Sequence, residues 1–273
     1  MPMHTRPIPS TGERLPVVGL GTYRSFDVGP RGRAYEALPR VVDALLAAGG
    51  AVIDTSPMYG RAEQTIGEVL PRATVTAAPF LATKVWTEGR DAGVAQMTRS
   101  LAWLGVDRVD LMQVHNLVDW RTHTRTLRRW KDEGRVRYLG ITHYTASAYA
   151  EVERVMRSES YDFLQINYSL EERDAEARLL PLAAERGMAV LVNRPLGQGS
   201  LLPRLTGRAL PPWAAEVGVS SWATLAIAFA VSHPAITCAI PATGNPAHLT
   251  MNAAAGRLTP LTERQRRDLI AVL

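Results

Sequence analysis

Four side chains are of the types that together could place a proton on a carbonyl oxygen: Asp54, Tyr59, Lys84 and His115. Reducing a carbonyl requires a hydride on carbon and a proton on oxygen. A phenol with an ordinary pKa near ~10 is a reluctant acid at neutral pH. A neighbouring ammonium favours the phenolate and lowers that value. A carboxylate paired with the ammonium keeps it charged and in place. A histidine can donate a hydrogen bond to the carbonyl oxygen and orient it. On this reading Tyr59 is the acid, Lys84 its tuner, Asp54 the orienter of Lys84, and His115 the carbonyl polariser. Each alone has a plainer explanation: Asp54-Thr55-Ser56 can cap a helix, His115 can be a satisfied core histidine, and Tyr59 a rim aromatic. Lys84 also stands out by usage. Lysine occurs only at Lys84 and Lys131, although Lys and Arg total 31. Lysine is compact and tunable by burial, whereas arginine is bulky and stays charged, and Lys84 lies in the apolar-flanked run 80–85.

Chemistry of this kind needs elements that bring distant residues to one place. Eight short apolar runs suit parallel strands: 17–21, 51–54, 80–85, 109–115, 138–142, 163–168, 189–193 and 237–241. Helix-period segments lie between most of them. Residues 35–48 carry Leu38, Val41, Val42, Leu45 and Leu46 at helical spacing, with Gly49-Gly50 as the stop. Further helices are expected over 62–70, 92–104, 122–133, 146–157, 175–186, 220–233 and 246–255, with Gly134, Gly187 and Gly256 as stops. A final amphipathic helix covers 262–272. Eight βα units in about 250 residues is the arithmetic of a closed (β/α)8 TIM barrel, read here as a single domain over 1–273. An open doubly wound sheet would want a glycine-rich fingerprint after the first strand, and Gly19-Leu20-Gly21-Thr22-Tyr23-Arg24 lacks the third glycine. Residues 6–17, with a turn signal at Ser10-Thr11-Gly12-Glu13, read as an N-terminal β-hairpin closing the bottom of the barrel. In such a barrel active residues sit at the C-terminal ends of strands. Asp54, Lys84 and His115 fall there on adjacent strands, and Tyr59 lies in the loop just past Asp54.

Composition narrows the classes. The 46% hydrophobic content is that of an ordinary globular chain. No apolar stretch is long enough to span a bilayer, so no membrane role is expected, and the start lacks the apolar core of a secretory signal. The cytoplasm is the default compartment. The single cysteine, Cys238, excludes an internal disulfide and a cysteine zinc cage. The net charge of +5 is dispersed. Its densest cluster, 121–131, reads as a solvated helix face with Leu127 and Trp130 inward, so no nucleic-acid partner is expected.

The chain resembles the aldo-keto reductase family along nearly its whole length. The resemblance is carried by Gly19-Leu20-Gly21-Thr22, Asp54-Thr55-Ser56-Pro57-Met58-Tyr59-Gly60, Ala82-Thr83-Lys84-Val85-Trp86, Ser100-Leu101-Ala102-Trp103-Leu104-Gly105-Val106-Asp107, and Asp110-Leu111-Met112-Gln113-Val114-His115. It continues through Gln165-Ile166-Asn167-Tyr168-Ser169, Pro195-Leu196-Gly197-Gln198-Gly199 and Ile240-Pro241-Ala242-Thr243. It implies a (β/α)8 barrel, no metal, and NADPH bound in extended form without a Rossmann domain. It assigns Asp54, Tyr59, Lys84 and His115 as a catalytic tetrad. It places cofactor contacts at Gly21, Thr22, Asp54, Thr142, His143, Gln165, Asn193, Arg194, Pro195, Leu196, Gly197, Thr243, His248 and Asn252.

Three departures from the family pattern stand out. Thr142-His143 replaces the usual Ser-Asn grip on the carboxamide. Asn193-Arg194-Pro195-Leu196 replaces an aromatic residue that stacks on the nicotinamide and the Ser-Pro-Leu after it. Arg194 is expected to stack through its guanidinium, meet the pyrophosphate, or form a surface salt bridge. Ala242, Thr243, His248, Met251 and Asn252 stand where Lys, Arg and Glu-Asn commonly hold a 2′-phosphate. Thr243, the helix start at Asn245-Pro246 and His248 remain to do so. The expectation is NADPH with weaker selectivity over NADH. The chain stops at Leu273 without the family's longer tail, which predicts an open pocket lined by Tyr23, Met58, Trp86, Asn116, Trp120 and Trp213. Such a rim suits a small hydrophobic or ring-bearing carbonyl substrate, and the protein is expected to be a monomer or weak homo-oligomer. Two other readings share the scaffold: a cofactor-binding sensor or partner subunit, and a barrel turned to a non-redox step such as cyclisation.

Overall fold

In the computed structural model, which describes residues 2–273, eight parallel strands alternate with helices around one barrel. Strands β1 (Thr5–Pro7) and β2 (Arg14–Pro16) form an antiparallel hairpin ahead of it. The barrel strands are β3 (Leu20–Gly21), β4 (Val52–Asp54), β5 (Phe80–Val85), β6 (Val109–His115), β7 (Val136–His143), β8 (Phe163–Asn167), β9 (Ala189–Asn193) and β10 (Cys238–Ala239). They pair in sequence order. Bridges Val18–Ala239 and Gly21–Ala242 join the last strand to the first and close the ring. The expected first strand over 17–21 is therefore shorter as a regular element, but residues 17–19 still bond the last strand through Ala239 N–H to Val17 O and Gly19 N–H to Ala239 O.

The helices are α1 (Arg33–Ala47), α2 (Ala62–Val69), α3 (Arg90–Leu104), α4 (Trp120–Asp132), α5 (Tyr149–Ser158), α6 (Leu179–Glu185), α7 (Leu201–Leu205), α8 (Trp222–Ser232), α9 (Pro246–Ala254) and α10 (Glu263–Ile270). In α1 the spaced residues Leu38, Val41, Val42, Leu45 and Leu46 are all buried, as their periodicity requires. The expected helices at 146–157 and 175–186 each open with a turn of 3-10 helix instead. The short α7 has no counterpart among the expected elements. Gly49, Gly134 and Gly187 take positive φ and stop their helices, as expected of glycine past a C-cap. Gly256 does not. It lies inside a 3-10 turn, where a Cβ would come within 2.9 Å of Met3 and 3.2 Å of Val17 and Val18. Its role is close packing against the N-terminal segment.

One parity runs through every strand and positions the site. Side chains alternate faces along a strand, so residues two apart share the barrel interior. Low in the barrel these are Val52, Phe80, Ala82, Leu111, Tyr138, Phe163, Ala189 and Leu191, joined with Ile8 and Leu15 of the hairpin region in one apolar cluster. Ile8 is fully buried and Leu15 nearly so, so the hairpin plugs the bottom as expected. Continuing upward with the same parity gives Asp54, Lys84, Gln113 and His115, Thr142, Gln165 and Asn193. The interior is thus apolar below and polar above. Among the described residues no helix is long and apolar enough to cross a membrane.

Candidate active site

The polar layer is tied together from the strand ends. Lys84 is 1% exposed, and its Nζ donates to Asp54 Oδ2 and to Thr55 O, both at 2.7 Å. Asp54 also accepts from Gln113 Nε2 on Oδ1 and from Gln165 Nε2 on Oδ2, each at 3.1 Å. Three donors from three strands therefore hold one carboxylate. Thr22 fixes the backbone beneath it, its hydroxyl donating to Asp54 O at 2.9 Å. Gly140 makes room for this arrangement: a Cβ there would meet Gln113 Cγ at 3.0 Å and Phe163 Cβ at 3.1 Å.

Tyr59 lies above the ion pair, with Lys84 Nζ 5.0 Å from its ring centre. Its ring packs edge-on against Tyr23 at 5.1 Å and His115 at 6.1 Å. Burial pushes the Tyr59 phenol up, Lys84 pulls it down, and Asp54 adds to the rise. The net direction is upward, opposite to what the ammonium alone would give, because the phenol loses more by desolvation than it gains from the neighbouring charge. Burial would push Lys84 down, but Asp54 and Tyr59 outweigh it and the net direction is up. Burial, with Lys84 and His143 adding to it, pushes His115 down to about 2. The imidazole is neutral, and its Nδ1 lies 3.2 Å from Ser56 Oγ. The site thus presents a protonated phenol and a neutral imidazole over a fixed ammonium.

A cavity of about 820 Å³ opens above this layer. Asp54, Tyr59 and His115 face it, as do Gly21, Thr22, Thr142, Gln165, Asn193, Arg194, Pro195 and Leu196. Tyr23, Met58, Trp86 and Asn116 form part of its wall. Other expected residues lie elsewhere. Trp120 is buried at the start of α4, with Arg121 stacked 4.3 Å from its ring. Trp213 donates from Nε1 to Asp268 at 3.2 Å. Neither lines the cavity. Gly197 is not on its wall, whereas its neighbours Leu196 and Gln198 are. His143 points aside, its Nδ1 accepting from Thr145 N–H at 3.1 Å, because β7 alternation turns it away from the face that holds Thr142. Thr243, His248 and Asn252 also lie off the cavity. Thr243 Oγ1 accepts from Asn245 N–H, His248 is in the exposed first turn of α9, and Asn252 is buried farther along it.

Residues that the sequence did not single out complete the wall. Tyr144, one residue past β7, lines the cavity with Arg194 stacked 4.9 Å from its ring centre. Arg24 lines it too, 5.2 Å from the ring centre of Tyr23. Neither guanidinium is in an ion pair among the described residues. Of the alternatives open for Arg194, the surface salt bridge is not observed; its guanidinium stacks on a protein ring, that of Tyr144. Gln113 carried a readable signal, since it stands two residues before His115 on one strand face. Tyr144 and Arg24 carried none beyond adjacency to a strand end. Arg24, Asn116, Arg194 and Gln198 all take positive φ, a costly backbone state for such residues that clusters at functional loops.

A second buried carboxyl lies behind the site. Glu63 of α2 is 1% exposed, accepts from the Thr83 and Ser100 hydroxyls, and has no cation in contact. Burial pushes it above the ordinary carboxylate range, against those hydrogen bonds and the more distant Lys84 and Arg99. The folded chain then holds a proton that the unfolded chain has released. Stability contributed by this group is lost as pH rises from ~4.3, the ordinary glutamate value, through the raised one. Glu63→Gln removes that slope. Urea unfolding should show the variant gaining on the wild type between pH 5 and pH 8; a constant difference contradicts the raised value.

A parallel barrel thus gathers a carboxylate–ammonium pair, a phenol and a neutral imidazole at its C-terminal mouth. The chain belongs to the aldo/keto reductase family, whose profile matches residues 17–272. It is similar to an aldo-keto reductase of Mycobacterium sp. (strain JLS), 32% identical over 205 residues and covering 72% of this chain and 70% of that one. It is also similar to methylglyoxal reductase YeaE of Escherichia coli (strain K12), 29% identical over 248 residues, covering 88% and 85%. Its fold matches an aldo-keto reductase from Klebsiella pneumoniae solved in complex with NADPH. The TM-score is 0.83 at 24% identity, with 98% of this chain and 94% of that one covered.

Proposed function

We propose that this protein reduces an aldehyde or ketone to an alcohol with NADPH as hydride donor. The observation that carries this reading is the Lys84–Asp54 pair, buried beneath a protonated Tyr59 at the wall of one cavity. The cavity also suits the cofactor. Gln165 Oε1 and Asn193 Oδ1 are buried there without a partner, and each can accept an amide N–H such as a carboxamide offers. Thr142 and Asn193 would join Gln165 around that group. Arg24 and Arg194 supply unpaired cations for phosphate, and the bound dinucleotide supplies hydride chemistry that no side chain here can.

The chain's own residues do the rest. Tyr59 O–H donates its proton to the carbonyl oxygen as negative charge develops there. Lys84 stabilises the phenolate left behind, and Asp54 keeps the ammonium in place. His115, neutral, donates a hydrogen bond to the same oxygen. Tyr23, Met58 and Trp86 give an apolar rim for a hydrophobic carbonyl compound. Following NADPH oxidation against a panel of aldehydes and ketones tests the reading. Tight cofactor binding without turnover on any carbonyl would instead indicate a sensor subunit or a non-redox step.

Cofactor preference is a separate expectation. The segment Thr243–Asn252 offers no Lys or Arg, and Asn245 already caps α9 by accepting from Ala247 N–H at 2.9 Å. NADPH should bind more tightly than NADH by no more than about tenfold, which is ~1.4 kcal/mol. Fluorescence titration of both measures this, and equal or tighter binding of NADH reverses the assignment.

A further inference from the structure

We propose that Ser56 is a positioning residue for His115: its hydroxyl donates to Nδ1 and so fixes the imidazole as the tautomer with its proton on Nε2. The argument is an accounting of protons. A neutral imidazole carries one N–H, and burial keeps His115 neutral. Ser56 is fully buried, with two polar neighbours. Met58 N–H donates to Ser56 Oγ at 3.4 Å, and His115 Nδ1 lies 3.2 Å away. If Nδ1 carried the proton, Oγ would accept from both neighbours, and its own hydroxyl hydrogen would be buried with no acceptor. If the hydroxyl donates to Nδ1, the hydroxyl hydrogen and the Met58 N–H both have partners. The imidazole proton then sits on Nε2, which has no protein partner, on a ring that faces the cavity. An Nε2–H donor is what polarising a carbonyl oxygen requires. The opposite tautomer would present a lone pair to that oxygen and repel it.

The catalytic meaning of this lock rests on the reductase reading above; the tautomer itself is read without turnover. Long-range proton–nitrogen spectra of protein labelled with 15N-histidine distinguish the two tautomers by the shifts of the ring nitrogens. His115→Gln identifies the His115 signal among the six histidines. The wild type should show His115 protonated at Nε2 alone. In Ser56→Ala a population protonated at Nδ1 should appear, with kcat for carbonyl reduction down about tenfold and NADPH affinity unchanged. Ser56→Thr, which keeps the hydroxyl, should restore both spectrum and rate. An Nδ1-protonated His115 in the wild type overturns the proposal, and so does Ser56→Ala with an unchanged tautomer or an unchanged kcat. If Ser56→Ala does not fold, the wild-type spectrum alone decides. If the wild type reduces no carbonyl, the reductase reading fails while the spectrum still decides the tautomer.

Discussion

Tyr59→Phe is expected to lower kcat for carbonyl reduction by about 10²–10⁴-fold, the range that a positioned general acid contributes, while NADPH binds as before. The substitution removes one oxygen and keeps the ring. The edge contacts to Tyr23 and His115 survive, as does the ammonium 5.0 Å from the ring centre. Folding should therefore change little, and the loss should appear in a single-turnover measurement with cofactor pre-bound. His115 cannot take over as acid, because burial keeps its ring neutral and leaves no imidazolium proton to give. Undiminished turnover in the variant would sink the assignment of Tyr59.

The second large effect concerns Lys84→Met, which should damage stability and turnover together. Lys84 and Asp54 are 1% and 2% exposed at the side chain and 2.7 Å apart. Deleting the cation leaves the carboxylate buried with only the amides of Gln113 and Gln165 to hold it. Breaking a buried pair in this way typically costs about 3–5 kcal/mol. Adding Asp54→Asn removes the stranded charge. The double variant should recover most of the lost stability in urea unfolding and none of the lost turnover. A double variant as unstable as Lys84→Met would mean that packing, not charge, set the cost.

Much of the scaffold was legible because it depends on periods. Alternation of two along β4, β5 and β6 put Asp54, Lys84 and His115 on one interior face, and helical spacing placed Leu38 to Leu46 of α1 against the barrel. Parity also explains His143. It follows Thr142 directly, so one side chain faces the cavity and the other cannot. The misplaced residues are those whose position depends on loops. Trp120 was expected on the rim but starts a helix that turns it inward. Tyr144 and Arg194 meet only because two loops after different strands converge, and Arg194 takes a left-handed backbone state. No local pattern encodes such a meeting. The net direction of the Tyr59 shift is not legible for a related reason: Lys84, which lowers it, is readable from motif spacing, but the depth of burial that outweighs Lys84 is not.

The plugged lower half of the barrel also bears on proton traffic. Beneath Gln113 and Gln165 the interior is filled by Phe80, Leu111, Tyr138, Phe163 and Leu191, with Ile8 and Leu15 sealing the base. That layer is side-chain packed and apolar except for the Tyr138 phenol, whose hydroxyl turns to Glu13 and Thr11 of the hairpin. On the proposed mechanism, a Tyr59 phenolate formed in one turnover would be reprotonated from the cavity it lines, through the mouth that admits substrate. Reprotonation and product departure would then share one entrance, and a bulky product that lingers there would also keep the acid from being restored.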